Sequence, residues 1–346
     1  MRPSRAERSQ SIPFMQTHSS PLWMRTLIGA LLVTAIPSFS QSLPQAPLPG
    51  QQIAAPSSSD PATYLCTTQL QRAQNAIHKQ DFPAGIDAAK TGLAACPEQR
   101  DLLLALADGQ MLSHQFDAAS ETLHTLLTKT PDDVSALLLL GQTQYLNAHD
   151  TDAALSFQRA IAAAPNNPEP HYWLGRLDYQ DGNVPKAMAE FQKAIQLDAT
   201  FYRAYDNLGL CYEALGENGH AMENYVHALK LVYKNHPDYD DVYLNMSGLM
   251  LKLGNSQKAF DLAAEASSRN PGNPRSFFLA GKALEQAGQS DASLKWLKHA
   301  VEMDPTYPDP HYLLARVYRR QGKSQESKEE AAKFKQLSDK APKIMR

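Results

Sequence analysis

The sequence predicts an all-α protein, a solenoid of antiparallel helix pairs, and three observations carry that prediction. First, small residues recur every 34 positions: Gly141, Gly175 and Gly209 keep this interval, as do Ala119, Ala153, Ala187 and Ala221. Second, Pro97, Pro131 and Pro165 keep the same beat, and after a slip of four residues around 232–239 it resumes with Gly254, Gly288 and Gly322 and with Pro271 and Pro305. Third, each period splits into two stretches with apolar residues at helical spacing, separated by a short break that carries a glycine from Gly182 onward. A fixed period in this range marks stacked supersecondary units rather than one folded-in globule.

Residues 168–201 show how one unit is built. Trp173, Leu174 and Leu177 form the apolar face of a first helix, Gly182 and Asn183 interrupt it, and Ala187, Phe191, Ala194, Ile195 and Leu197 form the face of a second. Gly175, Ala187 and Ala194 fall where helices face each other closely, and a bulky side chain there forces backbones apart. The glycine at the break supplies the positive φ of a helix C-terminus. The proline falls just past the second helix, where no amide donor is needed.

In chain order the units run 66–99, 100–133, 134–167, 168–201, 202–235, 240–273, 274–307 and 308–340, about eight in all, within a predicted solenoid of 63–340. The first is degenerate, with Gly85 in place of an alanine and no aromatic residue at the position of Phe157 and Phe191. The last is a cap, since 323–340 alternates charges and carries few large apolar residues, as an end unit with a polar outer face requires. Residues 341–346 are read as a tail.

Cys66 begins the first helix of the degenerate unit and Cys96 ends its second, and in an antiparallel hairpin those ends lie side by side. A disulfide between them is the expectation, with two unrelated buried thiols as the alternative. The third cysteine, Cys211, is expected to be a packed free thiol.

The amino-terminal region reads as an address. Arg25 precedes the apolar run 27–36, and Pro37, Ser38 and Ser40 follow, so 1–40 is expected to be a signal peptide cleaved after Ser40. The run is too short to span a bilayer, which takes about 20 residues. No stable membrane anchor is therefore expected after cleavage. The 23 residues before Met24 are long for an n-region, which places the expected translation start at Met24, or else at Met15. Residues 41–62, rich in Pro, Ser, Gln and Ala, are expected to form a disordered linker. Together these segments predict an exported protein, periplasmic or secreted.

Charge and motifs exclude several function classes. The net charge is −3 and no basic stripe is evident, so nucleic acid is not an expected partner. There is no nucleophile elbow, glycine-rich phosphate loop, zincin helix, haem-attachment motif or paired Cys-x-x-Cys spacing. His220 and His227 lie seven apart on one helix, longer than zinc-pair spacing. No catalytic residue, metal site or cofactor is expected. The triplet Asn245-Met246-Ser247 has the form of a glycosylation site but sits on a predicted helix with Met246 inward.

The small-residue and aromatic pattern resembles the tetratricopeptide-repeat family. Residues 202–231 carry Tyr205, Leu208, Gly209, Tyr212, Gly216, Ala221, Tyr225 and Ala228, and residues 134–165 carry Leu137, Leu140, Gly141, Ala153, Phe157, Ala160 and Pro165. Residues 240–271 and 274–305 repeat the pattern through Tyr243, Met246, Ser247, Gly254, Ala259 and Pro271, and through Phe277, Gly281, Gly288, Leu297, Ala300 and Pro305. Departures are Gln110, Gln144 and Asp178 at usually apolar positions, His171 and His311 at usually aromatic ones, and Leu126 for alanine.

The resemblance implies a right-handed superhelix whose first helices line a concave groove. Its implied groove residues are Tyr145, Tyr172, Arg176, Tyr179, Arg203, Asp206, Asn207, Phe278, Lys282, Tyr312 and Arg316, with Glu213 and Asn245 beside them. Tyr and Arg are the residues of binding hot spots. Arg176 and Arg203 suit a carboxylate or peptide backbone, and Tyr172 and Tyr179 could bracket a side chain. For Tyr172 and Phe278 the alternative is packing between adjacent first helices, and for the cations it is solvation. Some family members clamp a chaperone's terminal carboxylate with ordered Lys, Asn and Arg positions. Here Tyr172 and Arg176 stand where the paired Lys and Asn belong, so that ligand is not carried over. The implied function is a non-enzymatic scaffold binding a protein or peptide ligand, a peptide or helix laid in the groove. The alternatives are an accessory subunit of an envelope enzyme or of a secretion or pilus assembly machine, or a self-assembling structural homo-oligomer.

Overall fold

A computed structural model describes residues 61–236 and 238–340. The expected signal peptide, all but the last two residues of the linker, and the tail lie outside the described residues. The described residues divide into two compact units at the boundary between Pro131 and Asp132.

The first unit, described from residue 61, holds α1 (Pro61–His78), α2 (Phe82–Ala95), α3 (Arg100–Leu112) and α4 (Phe116–Lys129). α1 takes in the last two residues of the expected linker. Proline at the first helical position fits there, because that amide has no intrahelical partner. Cys66 and Cys96 are joined by a disulfide, their Cα atoms 6.3 Å apart.

The second unit, 132–340, holds α5 (Val134–Leu146), α6 (Asp150–Ala163), α7 (Pro168–Gln180), α8 (Val184–Leu197), α9 (Tyr202–Ala214), α10 (Asn218–Asn235), α11 (Asp241–Lys252), α12 (Ser256–Arg269), α13 (Pro274–Gln286), α14 (Ser290–Met303), α15 (Pro308–Arg320) and α16 (Ser324–Lys340). Within this unit each helix packs on its sequence neighbours. First helices also touch the next first helix, α5 on α7, α7 on α9, α9 on α11, α11 on α13 and α13 on α15, whereas second helices stand further apart and meet through long side chains, as where Phe260 of α12 reaches Trp296 of α14 with ring centres 5.6 Å apart. That asymmetry brings the first helices together on one wall.

Local chemistry sets the helix ends. The side chains of Asp133, Asn167, Asn255 and Asn273 each accept a backbone N–H of the helix they precede. The break between the two helices of each pair is a left-handed residue: Gly182, Gly216, Gly254, Gly288 and Gly322 have φ from 73° to 79°. The equivalent positions Gln80, His114 and Ala148 hold φ near 60° without being glycine. The four-residue slip in the period is one added turn, since α10 has 18 residues where α8, α12 and α14 have 14.

Packing follows the small-residue pattern. A Cβ built on Gly175 would lie 2.7 Å from the Phe191 ring and one on Gly209 would lie 2.5 Å from Tyr225; Gly141 faces Phe157 in the same way. Ala153 is fully buried in one cluster with Phe157, and Ala187 and Ala194 in one with Phe191; Ala228 is fully buried as well. Two of the polar departures find partners on the second helix: Thr122 Oγ1 donates to Gln110 Oε1 at 2.9 Å, and Ser156 Oγ donates to Gln144 Oε1 at 2.7 Å. A buried amide satisfied in this way avoids most of its desolvation penalty. Where the usual aromatic is replaced, His171 Nδ1 meets Glu190 Oε2 at 2.7 Å and His311 Nδ1 meets Glu330 Oε2 at 2.5 Å.

Candidate functional site

The wall of first helices in the second unit carries every residue expected in the groove, and these separate into two zones. The first zone, on α5, α7, α9 and α11, is a closed polar and aromatic layer. Tyr172 is 4% exposed and packs edge-on against Phe201 at 5.4 Å and Trp173 at 5.5 Å. The packing alternative therefore describes Tyr172, and Tyr145 is buried beside Trp173 at 5.6 Å. The Arg176 guanidinium lies among three rings, 4.9 Å from Trp173, 5.3 Å from Tyr145 and 5.9 Å from Tyr172. Burial disfavours its charge, but Tyr172, Tyr145 and Asp241 outweigh burial and hold its pKa above the ordinary arginine value. Arg203 pairs with Glu169 of the preceding first helix and stacks over Tyr172 and Phe201, each 5.0 Å away. Tyr179 packs against the same core. Asn207 donates to the Arg203 carbonyl of its own helix at 2.9 Å.

Asp206 is the hub of this layer. It is 1% exposed and accepts from the Tyr239 hydroxyl at 2.7 Å and from Asn245 Nδ2 at 3.0 Å. Burial pushes its carboxyl up to about 6, against the opposing effects of Asn245, Tyr239 and Arg275. Arg275 Nη2 on α13 in turn donates to Asn245 Oδ1 at 3.2 Å. Asn245 is thus committed inside the wall, which accounts for its triplet without glycosylation.

A charge ladder crosses both zones. Glu169, Arg203, Asp241, Arg275 and Asp309 hold one register on α7, α9, α11, α13 and α15, and their signs alternate. Sequence reading missed Glu169, Asp241, Arg275 and Asp309. Aligning the units across the four-residue slip would have found them.

The second zone is an open cleft of about 430 Å³ between α13 and α15. Phe278, Lys282, Tyr312 and Arg316, all expected in the groove, line it together with Glu285 and Leu313. Tyr312 is 50% exposed. Lys282 is exposed and places Nζ 5.8 Å from the centre of the Phe278 ring. Glu285 is buried between Arg316 Nη2 at 2.7 Å and Arg320 Nη1 at 2.5 Å. Arg316 Nε is buried without a hydrogen-bond partner.

Other titratable groups do not gather into reactive sets. Among the described residues no group of three or more His, Cys, Asp or Glu could hold a metal ion, and no helix is long and apolar enough to cross a membrane. Cys211 is buried and free, and burial pushes its thiol up to about 12. His220 pairs with Glu217 at 2.9 Å, while His227 stacks on Tyr205 with ring centres 4.0 Å apart.

Paired helices around one apolar seam, with a wall of first helices bearing a cleft, define a helical-repeat scaffold of the kind that holds other proteins. Sequence profiles described as tetratricopeptide repeats match residues 104–168 and 202–231, and a TPR-repeat profile matches 175–216 and 281–322. The chain belongs to the tetratricopeptide-repeat family. A curated human relative, Protein O-mannosyl-transferase TMTC1, is 26% identical over 139 residues, which is 40% of this chain. The match spans 15% of the length of that relative. Among solved structures, the Cut9–Hcn1 hetero-tetramer of APC/C is similar with a TM-score of 0.62 at 15% identity, covering 82% of this chain and 56% of that one. PilF of Pseudomonas aeruginosa is similar with a TM-score of 0.52 at 19% identity, covering 67% of this chain and 99% of that one. At these identities the structural likenesses show the shared fold.

Proposed function

We propose that this chain is a non-catalytic scaffold working outside the cytoplasm, and that the first-helix wall of its 132–340 unit holds a segment of a partner protein as an extended peptide or helix. The observation that carries this reading is the cleft between α13 and α15, where the Tyr312 ring and the cations Lys282 and Arg316 remain open beside the buried Phe278. A half-exposed tyrosine beside arginine is the composition of interface hot spots. The placement outside the cytoplasm rests on the charged, apolar and small-residue order of 25–40.

The test is site-specific photo-crosslinking in the native host, with the probe at Tyr312 on the cleft or at exposed Glu223 on the second helix α10. A partner captured at 312 and lost on Phe278→Ala plus Tyr312→Ala is the expected result; capture confined to 223 rejects the inner-wall reading. Fractionation of the same cells checks the compartment, and a cytosolic, unprocessed protein rejects export. The likeness to a mannosyl-transferase supports a second reading, an accessory module of an envelope enzyme. A transferase subunit captured at 312 favours it.

A further inference from the structure

We propose that the α13–α15 cleft selects a partner segment in which an Asp or Glu side chain stands next to a large apolar side chain. This deepens the inner-wall reading above and rests on it. Phe278 and Leu313 supply an apolar floor and Tyr312 a half-exposed edge. A space of about 430 Å³ lies within the roughly 300–1,000 Å³ range of ligand-binding pockets, enough for two adjacent side chains.

The charges in the cleft are unevenly committed. Glu285 already receives two cations, Arg316 and Arg320, so this end carries more positive charge than its one carboxylate balances. Lys282 makes no ion pair with any described residue and lies over the face of Phe278. Arg316 keeps 35% of its side chain exposed while it pairs with Glu285, so its guanidinium still offers donors to a ligand in the cleft. A carboxylate placed between Lys282 and Arg316 satisfies both, while its apolar neighbour covers Phe278. Asp309 lies seven residues before Arg316 on α15, or about 10 Å along the helix. The cleft therefore has a basic and an acidic end, and the partner's carboxylate belongs at the basic one.

The experiment pans a phage-displayed random peptide library on the full chain. The selected sequences are then measured as amidated, acetylated synthetic peptides by fluorescence anisotropy. The expected result is enrichment of an acidic residue beside Phe, Trp, Tyr or Leu. Binding should weaken about tenfold in Lys282→Glu, the equivalent of about 1.4 kcal/mol, and should weaken as salt rises. The thermal transition of Lys282→Glu should match that of the wild type, because Lys282 is exposed. Peptides that lose affinity on Phe278→Ala but show no acidic preference overturn this specificity and leave the inner-wall reading standing. Peptides indifferent to both substitutions overturn both readings. A library that yields no enriched sequence overturns the specificity, and so does a concentration-dependent dimer abolished by Tyr312→Ala, which assigns the cleft to a second copy of the chain.

Discussion

At the scale of single residues, the repeat works by fitting one ring against one missing methyl. Gly141, Gly175 and Gly209 each receive the ring of the second helix of the same pair, while Gly281 receives Leu297 instead. Gly175→Ala is expected to cost about 1–3 kcal/mol by overpacking, read as a lower denaturant midpoint. Adding Phe191→Leu should return part of that loss, since the pair is in contact and their effects do not add. Asp206 gives a second residue-level prediction. Burial raises its carboxyl to about 6, and burial likewise raises Asp240 and Asp241 to about 6. Unfolded aspartate titrates near 3.9. Between these values the folded chain holds protons that the unfolded chain has released, so stability from this source is full below about pH 4 and falls as pH rises through 6. Asp206 alone contributes on the order of 2–3 kcal/mol to this slope. Asp206→Asn keeps a group that can accept from Tyr239 and Asn245, so its melting temperature should change less between pH 5 and pH 7.5 than that of the wild type. An identical pH profile in the two proteins would count against this assignment.

At the scale of elements, the turn between paired helices is a controlled series. Gly182 is left-handed with open space around it, and Ala148, one period earlier, is left-handed without being glycine. A left-handed residue with a Cβ costs roughly 1–2 kcal/mol. Ala148→Gly should therefore stabilise by about 1 kcal/mol and Gly182→Ala destabilise by about the same, both measured by chemical denaturation. Most of this level was legible in the sequence. The pairs, their breaks, the prolines behind them and the slip all register as spacing, because each reflects backbone geometry that admits few residue types. The covering of each face was not legible. Tyr172 and Tyr312 share a register, yet one is enclosed by Phe201 and Arg203 and the other stands half exposed beside Phe334. Helical periodicity tells which way a side chain points, whereas its burial depends on what the next first helix brings against it.

At the scale of the molecule, the two compact units differ in what holds them. The 61–131 unit has the poorest repeat pattern at its start and a disulfide closing that same hairpin, between residues 30 apart. Cross-linking a loop of that length contributes on the order of 3 kcal/mol. Reduction, or Cys66→Ala, should speed amide hydrogen exchange across α1 and α2 and leave the rates in α13 and α15 unchanged. Faster exchange in both sets would show the bond acting beyond its own hairpin. The cysteine pair could be read from the sequence because hairpin geometry brings the two ends together. The hydrogen-bonded chain from Asp206 through Asn245 to Arg275 could not, since its members belong to three different repeats and only the stacking of first helices joins them.

That chain has a consequence for assembly. Near-identical modules invite a helix to dock one place too far along during folding, and such misassembly is a characteristic failure of repetitive proteins. The lengthened α10 ends beside Tyr239, and at the register of Asp206 the other first helices of the 132–340 unit carry Leu138, Tyr172, Leu244, Phe278 and Tyr312, none of them a carboxylate. A docking error here strands Asp206 without donors, so the single irregular joint acts as a proofreading mark that tells otherwise interchangeable neighbours apart.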